Sequence, residues 1–340
     1  NDVTREIDIA EEVLRIYGYN NIDIPEKINS SHSIQQKISN HSIQQKISNH
    51  LVSLGAYEIM NNSLVKREYG NFLDEKSNNH ISLLNPLSND TATLRKTLIY
   101  GAVEVLKFNH FNGNPNGTIF EWGKVYSENE NKYDQENRLL IATTGLQNEE
   151  HWFNGKLESS FFQLKGIIES VFKSLGIYYE TKVLIKDHLW EEGLSLMKGK
   201  YKLAKVGTVR KEISNLIGFK KHYFISEIYF DNLMEIIANS KPKIKPINKF
   251  QKVYRDLSIL IPEDVTMLEI KNSIDQVKSK LLKNTTLFDI YRDKKNIGKK
   301  AYGLRFEFLH SERTLKDKEV DSVMNSIQSK LEDEFNAALR

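Results

Sequence analysis

The sequence predicts an α+β fold with at least two domains, and three observations lead to this prediction. A chain of 340 residues exceeds one ordinary domain of roughly 100–200 residues. Three of its six prolines are Pro242, Pro246 and Pro262, and residues 241–255 hold six basic residues and no acidic one, which indicates a linker. Beyond this linker the predicted elements run β-α-β-β-α-β, the split-βαβ or ferredoxin-like order.

The first predicted element is a helix over residues 4–17. Thr4 suits the N-cap, and Glu6 and Asp8 suit the positive end of the helix dipole. An apolar stripe follows one face of this helix, and Gly18 is the expected C-terminal stop.

An exact duplication follows, because the nonapeptide at 32–40 recurs at 41–49. Nine residues make about 2.5 helical turns, so the two copies would face opposite sides of a straight helix. The second copy continues one stripe through Ile43, Ile47, Leu51 and Leu54, so we interpret it as the helix that packs. The first copy is interpreted as an extension or a duplication artefact.

Apolar periodicity and turn residues predict the remaining elements. Before the linker they are a strand at 56–65, an apolar run at 81–86, a helix at 91–110, strands at 119–126 and 138–144, a helix at 161–175 and short strands at 178–185, 201–208 and 223–229. After it they are a strand at 256–261, a helix at 266–282, strands at 285–292 and 301–309, a helix at 316–335 with Thr314 as its N-cap, and a short final strand.

The composition excludes several classes of protein. Hydrophobic residues are 39% and charged residues 27%, which excludes wholesale disorder, collagen and a membrane bundle. No apolar run approaches the ~18 residues of a membrane span. The absence of cysteine excludes disulfides, thiolate zinc sites and a cysteine nucleophile.

The net charge of +3 hides an asymmetry. Residues 1–240 carry −3, whereas residues 241–340, with 21 basic and 15 acidic residues, carry +6. A basic module attracts phosphate backbones by releasing counterions, although a solvated lysine-rich face would give the same count.

The first helix carries a candidate metal site made of Asp2, Asp8, Glu11 and Glu12. Residues three and four apart share a helical face, and carboxylate oxygens suit Mg²⁺. The alternative is that these acidic residues only complement the helix dipole. Elsewhere no phosphate loop, nucleophile elbow or His-Glu-x-x-His pair occurs, and His222 beside Lys220 and Lys221 is interpreted as a surface residue.

The C-terminal module interleaves basic and aromatic residues, as RNA-binding surfaces do. Strand alternation predicts that Tyr302, Phe306 and Phe308 belong to the core. The candidate RNA contacts are Lys249, Tyr254, Arg255, Tyr291, Arg292, Lys294, Lys295, Lys299 and Lys300.

Four stretches together resemble the C-terminal part of the β subunit of bacterial phenylalanyl–tRNA synthetase. They are residues 2–22 (DVTREIDIAEEVLRIYGYNNI), the pair 85–90 (NPLSND) and 94–98 (LRKTL), residues 120–126 (FEWGKVY), and the set 254–257 (YRDL), 287–292 (LFDIYR) and 312–320 (ERTLKDKEV). Residues 188–195 and the duplicated nonapeptide depart from the family pattern.

The resemblance implies a domain order. Residues 1–28 would be the end of a B5 domain, 29–240 a class II synthetase-like antiparallel sheet with helices and no catalysis, 241–248 a linker, and 249–340 a ferredoxin-fold anticodon-binding domain. The chain would then be a fragment of a longer protein.

The resemblance also implies partners and cofactors. The family forms a cytoplasmic (αβ)₂ heterotetramer in which ATP binds only at the α-subunit active site. Asp2, Asp8, Glu11 and Glu12 match its Mg²⁺ ligands, described as shared with α, and the C-terminal domain would bind tRNA; no membrane is implied. The alternatives are a stand-alone RNA-binding protein on a synthetase-like body, and an autonomous ligase.

Overall fold

The computed structural model describes residues 3–23, 39–73, 80–129, 132–148, 152–153, 155–183, 188–240, 246–292 and 298–339. The helices in these ranges are α1 (Glu6–Tyr17), α2 (Asn40–Ser53), α3 (Arg67–Leu73), α4 (Ile99–Phe111), α5 (Phe161–Ser174), α6 (Lys211–Ile217), α7 (Phe230–Asn239), α8 (Met267–Asp275) and α9 (Asp317–Phe335). The strands are β1 (Ala56–Glu58), β2 (Leu64–Val65), β3 (Thr93–Leu94), β4 (Gly117–Asn129), β5 (Lys132–Thr144), β6 (Glu180–Val183), β7 (Trp190–Lys198), β8 (Tyr201–Val209), β9 (Tyr223–Tyr229), β10 (Val253–Pro262), β11 (Leu282–Tyr291), β12 (Lys299–Phe308) and β13 (Ala338–Leu339). The chain divides into two compact units, residues 1–47 and residues 48–340.

In the first unit, α1 confirms the helix predicted at 4–17, although it begins at Glu6. Gly18 stops it, because a φ of 92° suits glycine and lets its N–H donate to the Leu14 carbonyl at 2.8 Å. The apolar residues of α1 are exposed within the described chain.

The second copy of the nonapeptide is helical, as predicted, and lies in α2. Ile47 and Leu51 from the predicted stripe are fully buried, whereas Leu54 follows the helix and is exposed. Residues 32–38 of the first copy lie outside the described residues.

The described part of the second unit contains a seven-stranded sheet with the order β1-β4-β5-β9-β8-β7-β6. β1 runs parallel to β4, and every other neighbouring pair is antiparallel. Leu140 and Ala142 of β5 pack with α4 and α6 in one hydrophobic core. Leu139 and Ile141 alternate to the opposite face and are also fully buried, so β5 lies in the middle of a layered structure.

Several predictions before the linker need correction. The strand predicted at 56–65 is two short strands, β1 and β2, and the run at 81–86 forms only an isolated bridge at Ser82. The helix predicted from residue 91 begins at Ile99, because the residues before it form a 3₁₀ turn and β3. Sequence periodicity missed α3, α6, α7 and β7, which have few residues or little apolar contrast.

The described residues after the linker form the predicted β-α-β-β-α-β order, with an antiparallel sheet ordered β11-β12-β10-β13. Tyr302, Phe306 and Phe308 lie in the core of this domain, as the alternation predicts. Thr266 caps α8 through reciprocal bonds with Glu269, but α8 ends at Asp275, earlier than predicted. The predicted N-cap Thr314 is wrong, since α9 begins after Lys316.

The described helices include none with both the length and the apolar character that crossing a bilayer requires.

The start of α9 is stabilised by a carboxylate whose pKa is displaced. The two oxygens of Glu319 accept hydrogen bonds from the guanidinium of Arg313, at 2.8 and 2.5 Å, and Oε2 also accepts one from the Lys316 N–H at 3.1 Å. The bond from Arg313, followed by the bond from Lys316, lowers the pKa of Glu319 from 4.5 to about 2.

Because the folded-state pKa is depressed, the contribution of Glu319 to stability is present above about pH 4.5 and is lost as the pH falls towards 2. We expect Glu319→Gln to lower the melting temperature at pH 7 and to have a shrinking effect as the pH falls to 3. Circular dichroism melts across this range check it, with the exposed Glu312→Gln as control. A deficit that stays constant with pH would contradict this assignment.

Candidate nucleic-acid interface

The C-terminal sheet has one face packed against α8 and α9 and one open face. Register pairs Tyr254 with Glu307 and Asp256 with Arg305, and these four residues alternate with the core positions of β10 and β12. A half-covered antiparallel sheet of this kind leaves a flat surface on which extended ligands can lie.

Three aromatic rings are displayed on β10 and β11. Tyr254 is 51% exposed, Phe288 53% and Tyr291 44%. Exposed rings of this kind are the stacking platforms on which proteins hold unpaired bases, since every base has a π-face.

Phe288 lies flat on the sheet because its neighbour has no side chain. A Cβ on Gly303 would lie 2.9 Å from two atoms of the Phe288 ring, which is too close for a real contact. The irregular register between Leu287 and Asp289 accommodates Phe288 as an extra residue in β11. Any substitution of Gly303 would therefore displace the ring.

Arg305 completes this surface. Its guanidinium carbon lies 5.3 Å from the centre of the Phe288 ring, and Nε and one terminal nitrogen donate to the two oxygens of Asp256 at 2.8 and 2.7 Å. The hydrogen bond from Arg305 lowers the pKa of Asp256. The fork is therefore held in one orientation beside the ring, with a planar cation available to a base or phosphate.

The structure divides the predicted RNA contacts into three groups. Tyr254, Tyr291, Arg292, Lys249 and Lys299 are exposed, although Arg292 is paired with Glu263 at 2.8 Å. Lys294 and Lys295 lie outside the described residues.

Arg255 and Lys300 form the third group, in which the cation is held by the protein itself. Arg255 bonds to Asp317 of α9 at 2.7 Å, because it lies on the helix-facing side of β10. Lys300 is only 7% exposed and donates to the Glu263 carbonyl at 2.7 Å. Both side chains have structural roles in this arrangement.

Sequence reasoning did not select Phe288 or Arg305 as contacts. The available signal was the period-2 pattern, which places Arg305 opposite in face to Phe306, together with the glycine at 303. The bulge that turns Phe288 outward leaves no such signal.

The acidic residues of α1 are arranged around the helix start. One Asp8 oxygen accepts from the backbone N–H groups of Thr4 and Arg5, at 3.1 and 2.9 Å, and these bonds lower its pKa. Glu12 bonds to Arg15 at 3.1 Å, and Asp2 lies outside the described residues.

Among the described residues, no group of three or more His, Asp or Glu side chains is arranged to hold a metal ion. The described carboxylates Asp8, Glu11 and Glu12 therefore do not make a site by themselves. The magnesium site stays a prediction, and it requires ligands beyond these three.

The seven-stranded sheet contains buried charges that are committed to structural partners. Arg95 and Glu121 are 7% and 0% exposed and form an ion pair at 2.7 Å. Asn61 donates to both oxygens of Glu121, from its N–H at 3.2 Å and its carboxamide at 2.8 Å. Arg95 occupies the space beside Gly123, where an added Cβ would lie 2.3 Å from its guanidinium.

A second buried carboxylate, Glu227, fixes the start of α4. It accepts hydrogen bonds from the Thr97 hydroxyl at 2.6 Å and the Leu98 N–H at 2.9 Å. Together these contacts hold residues 93–98 across one face of the sheet.

Comparison with known proteins agrees with the two sheets. Residues 24–230 match the family described as "Phenylalanyl tRNA synthetase beta chain CLM domain", and residues 248–340 match the "Ferredoxin-fold anticodon binding domain".

Curated relatives match over the whole chain. The phenylalanine–tRNA ligase β subunit of Bacteroides thetaiotaomicron is 34% identical over 359 residues, covering 100% of this chain and 43% of the relative. That of Clostridium acetobutylicum is 30% identical over 349 residues, covering 100% and 42%. The chain thus spans less than half the length of these relatives.

Among solved structures, pyrrolysyl-tRNA synthetase from Desulfitobacterium hafniense overlaps 61% of this chain and 72% of its own, at 14% identity and a TM-score of 0.48. No functional conclusion follows from so loose an overlap.

The buried ion pair yields a stability prediction. Glu121→Gln should lower the free energy of unfolding by about 3 kcal/mol, because it leaves Arg95 buried without its counter-charge. Trp122, Trp152 and Trp190, the only three tryptophans, all precede the linker, so tryptophan fluorescence during urea unfolding follows this domain alone. The control is Glu212→Gln, which breaks an exposed pair with Arg210 and should change stability by less than about 1 kcal/mol. Equal effects of the two substitutions would refute the assignment.

Proposed function

The chain belongs to the phenylalanyl–tRNA synthetase β-chain family, and from this premise we propose that it is the C-terminal part of a non-catalytic β subunit of phenylalanine–tRNA ligase. In this role it binds tRNA through its C-terminal domain and serves as a scaffold for a catalytic α subunit. The observation that carries the proposal is the open sheet face with its three exposed rings and Arg305, within the residues that match an anticodon-binding domain.

The open face suits unpaired bases better than a duplex. Its exposed rings, Tyr254, Phe288 and Tyr291, can stack on bases that a loop turns outward, whereas a paired base offers no free face. Lys249 and Lys299 are exposed in the same domain and can neutralise backbone phosphates. The anticodon loop of a tRNA provides both features.

The division of labour with an α subunit is supported by the way this chain uses its buried charges. Glu121, Glu227 and Arg95 each have structural partners within the sheet, so they serve the fold. We therefore place phenylalanine activation with ATP on the α subunit, in a cytoplasmic (αβ)₂ assembly. Mg²⁺ at the N-terminal acidic residues remains part of this proposal, with its remaining ligands supplied from outside the described carboxylates.

Removing the stacking platform tests the tRNA proposal. Phe288→Ala should weaken binding of a phenylalanine-tRNA anticodon stem-loop by roughly tenfold, which lies within the loss expected for one stacked base. Fluorescence anisotropy of the labelled stem-loop measures the change. Phe162→Ala is the matched control, since Phe162 is also exposed but lies on α5.

Salt dependence separates stacking from phosphate binding. Phe288→Ala should leave the dependence of affinity on salt unchanged, because it removes no charge, whereas Lys299→Ala should lower that slope by about 0.7. Unchanged affinity in Phe288→Ala, or an equal loss in Phe162→Ala, would remove the open face from the proposal.

The scaffold role predicts dependence on a second chain. We expect no phenylalanylation of tRNA by this chain with ATP and phenylalanine, and we expect it to co-purify with the α subunit when the two are expressed together. Charging assays and size-exclusion chromatography measure these outcomes. Activity of this chain alone would establish an autonomous ligase, and RNA binding without α-subunit binding would favour the stand-alone RNA-binding alternative.

A further inference from the structure

A second surface lies on the seven-stranded sheet, at the end opposite the β4–β5 hairpin. It is a cleft of about 380 Å³, and ligand pockets commonly hold roughly 300–1,000 Å³. Its lining residues are Tyr57, Ile59, Leu106, Asn109, Asn114, Asn116, Gly117, Ile119 and Thr144. None of these is a carboxylate or an ammonium group, so the cleft accepts a neutral group.

The floor and the wall of this cleft differ in chemistry. Leu106 and Ile119 belong to the hydrophobic core and present apolar atoms at the bottom. Three carboxamides, from Asn109, Asn114 and Asn116, stand around them. A carboxamide offers two donor hydrogens and an acceptor oxygen, which can pair with the donors and acceptors on the edge of a base.

The chain between α4 and β4 fixes these carboxamides. The Asn109 carbonyl accepts from the Asn114 N–H at 2.8 Å, which closes the turn after α4. The Asn116 oxygen accepts from the Leu146 N–H at 2.8 Å, and Gly145 leaves room for it, because a Cβ there would lie 2.2 Å away. The side chains of Asn109 and Asn114 have no hydrogen-bond partner among the described residues.

Tyr57 stands at the mouth with 72% of its surface exposed. It lies on β1, so its ring can cover a planar group that enters the cleft. The following carboxylate, Glu58, points to the other face of β1 by strand alternation.

The far end of the cleft continues into a basic segment. The Thr144 hydroxyl, which lines the cleft, donates to the His222 carbonyl at 2.8 Å. Lys220 and Lys221 directly precede His222, both are exposed, and neither side chain has a partner among the described residues. Two free ammonium groups beside an uncharged, carboxamide-lined cleft match the chemistry of a nucleotide, with its neutral base and anionic phosphate.

From this geometry we propose that the cleft binds one unpaired nucleotide of a single-stranded nucleic acid. The base enters between Tyr57 and the apolar floor and bonds to the asparagine carboxamides, while its phosphate contacts Lys220 and Lys221. This site is separate from the open face of the C-terminal sheet and does not depend on RNA binding there.

The test uses the full chain carrying Phe288→Ala, so that binding at the first surface does not obscure the second. A tetranucleotide of RNA containing 4-thiouridine is the probe, cross-linked by light and followed by mass spectrometry. We expect the cross-linked peptide to contain Tyr57. Tyr57→Ala should weaken binding by roughly tenfold, as for loss of one stacked base, whereas Tyr133→Ala, an equally exposed tyrosine on β5, should have no effect.

Salt dependence tests the role of the two lysines. Lys220→Ala with Lys221→Ala should lower the slope of log affinity against log salt by about 0.7 for each phosphate that is no longer neutralised, and the exposed pair Lys211→Ala with Lys318→Ala should not. The proposal is overturned by absence of measurable binding, by cross-links that avoid Tyr57, or by an equal loss in the control variants. Displacement of the probe by an uncharged peptide, with the lysine substitutions silent, would overturn it in favour of strand addition at β1.

Discussion

The buried pair between Arg95 and Glu121 is the contact on which the arrangement of the larger domain depends. A fully buried carboxylate is tolerated only when a counter-charge and hydrogen bonds replace water. Glu121 receives these from Arg95 and Asn61, and Glu227 receives its own from Thr97 and Leu98. Meeting the two requirements fixes the path of residues 93–98 over the sheet and the position where α4 begins.

The same commitment explains how function is distributed in the chain. Side chains that satisfy buried charges cannot turn to a substrate without leaving a partner desolvated. The chemically available groups of the described residues therefore lie at surfaces, where solvent replaces a missing partner. The rings of β10 and β11, the Arg305 fork and the asparagine cleft are of this kind, and each is positioned by a rigid sheet.

The sequence predicted the C-terminal domain better than the larger one, and the reason lies in their patterns. In the C-terminal domain each strand has one buried face, so alternation distinguishes Tyr302 and Phe306 in the core from Arg305 outside. In the larger domain β5 is buried on both faces, and such strands lose the period-2 signal. The helix predicted from residue 91 likewise began too early, because no local pattern records that Arg95 and Thr97 bind distant carboxylates.

By itself, the sequence determined the element order, the charge asymmetry, the packing copy of the nonapeptide and the resemblance to a synthetase β chain, because local periodicity and motif residues carry these properties. Tertiary structure alone decided which cations are available: Lys299 is exposed while Lys300 is buried against the Glu263 carbonyl, and Arg255 is held by α9. It also gathered the cleft from β1, α4, β4 and β5. The physical reason is that exposure and convergence depend on contacts between residues far apart in the chain, which no local pattern encodes.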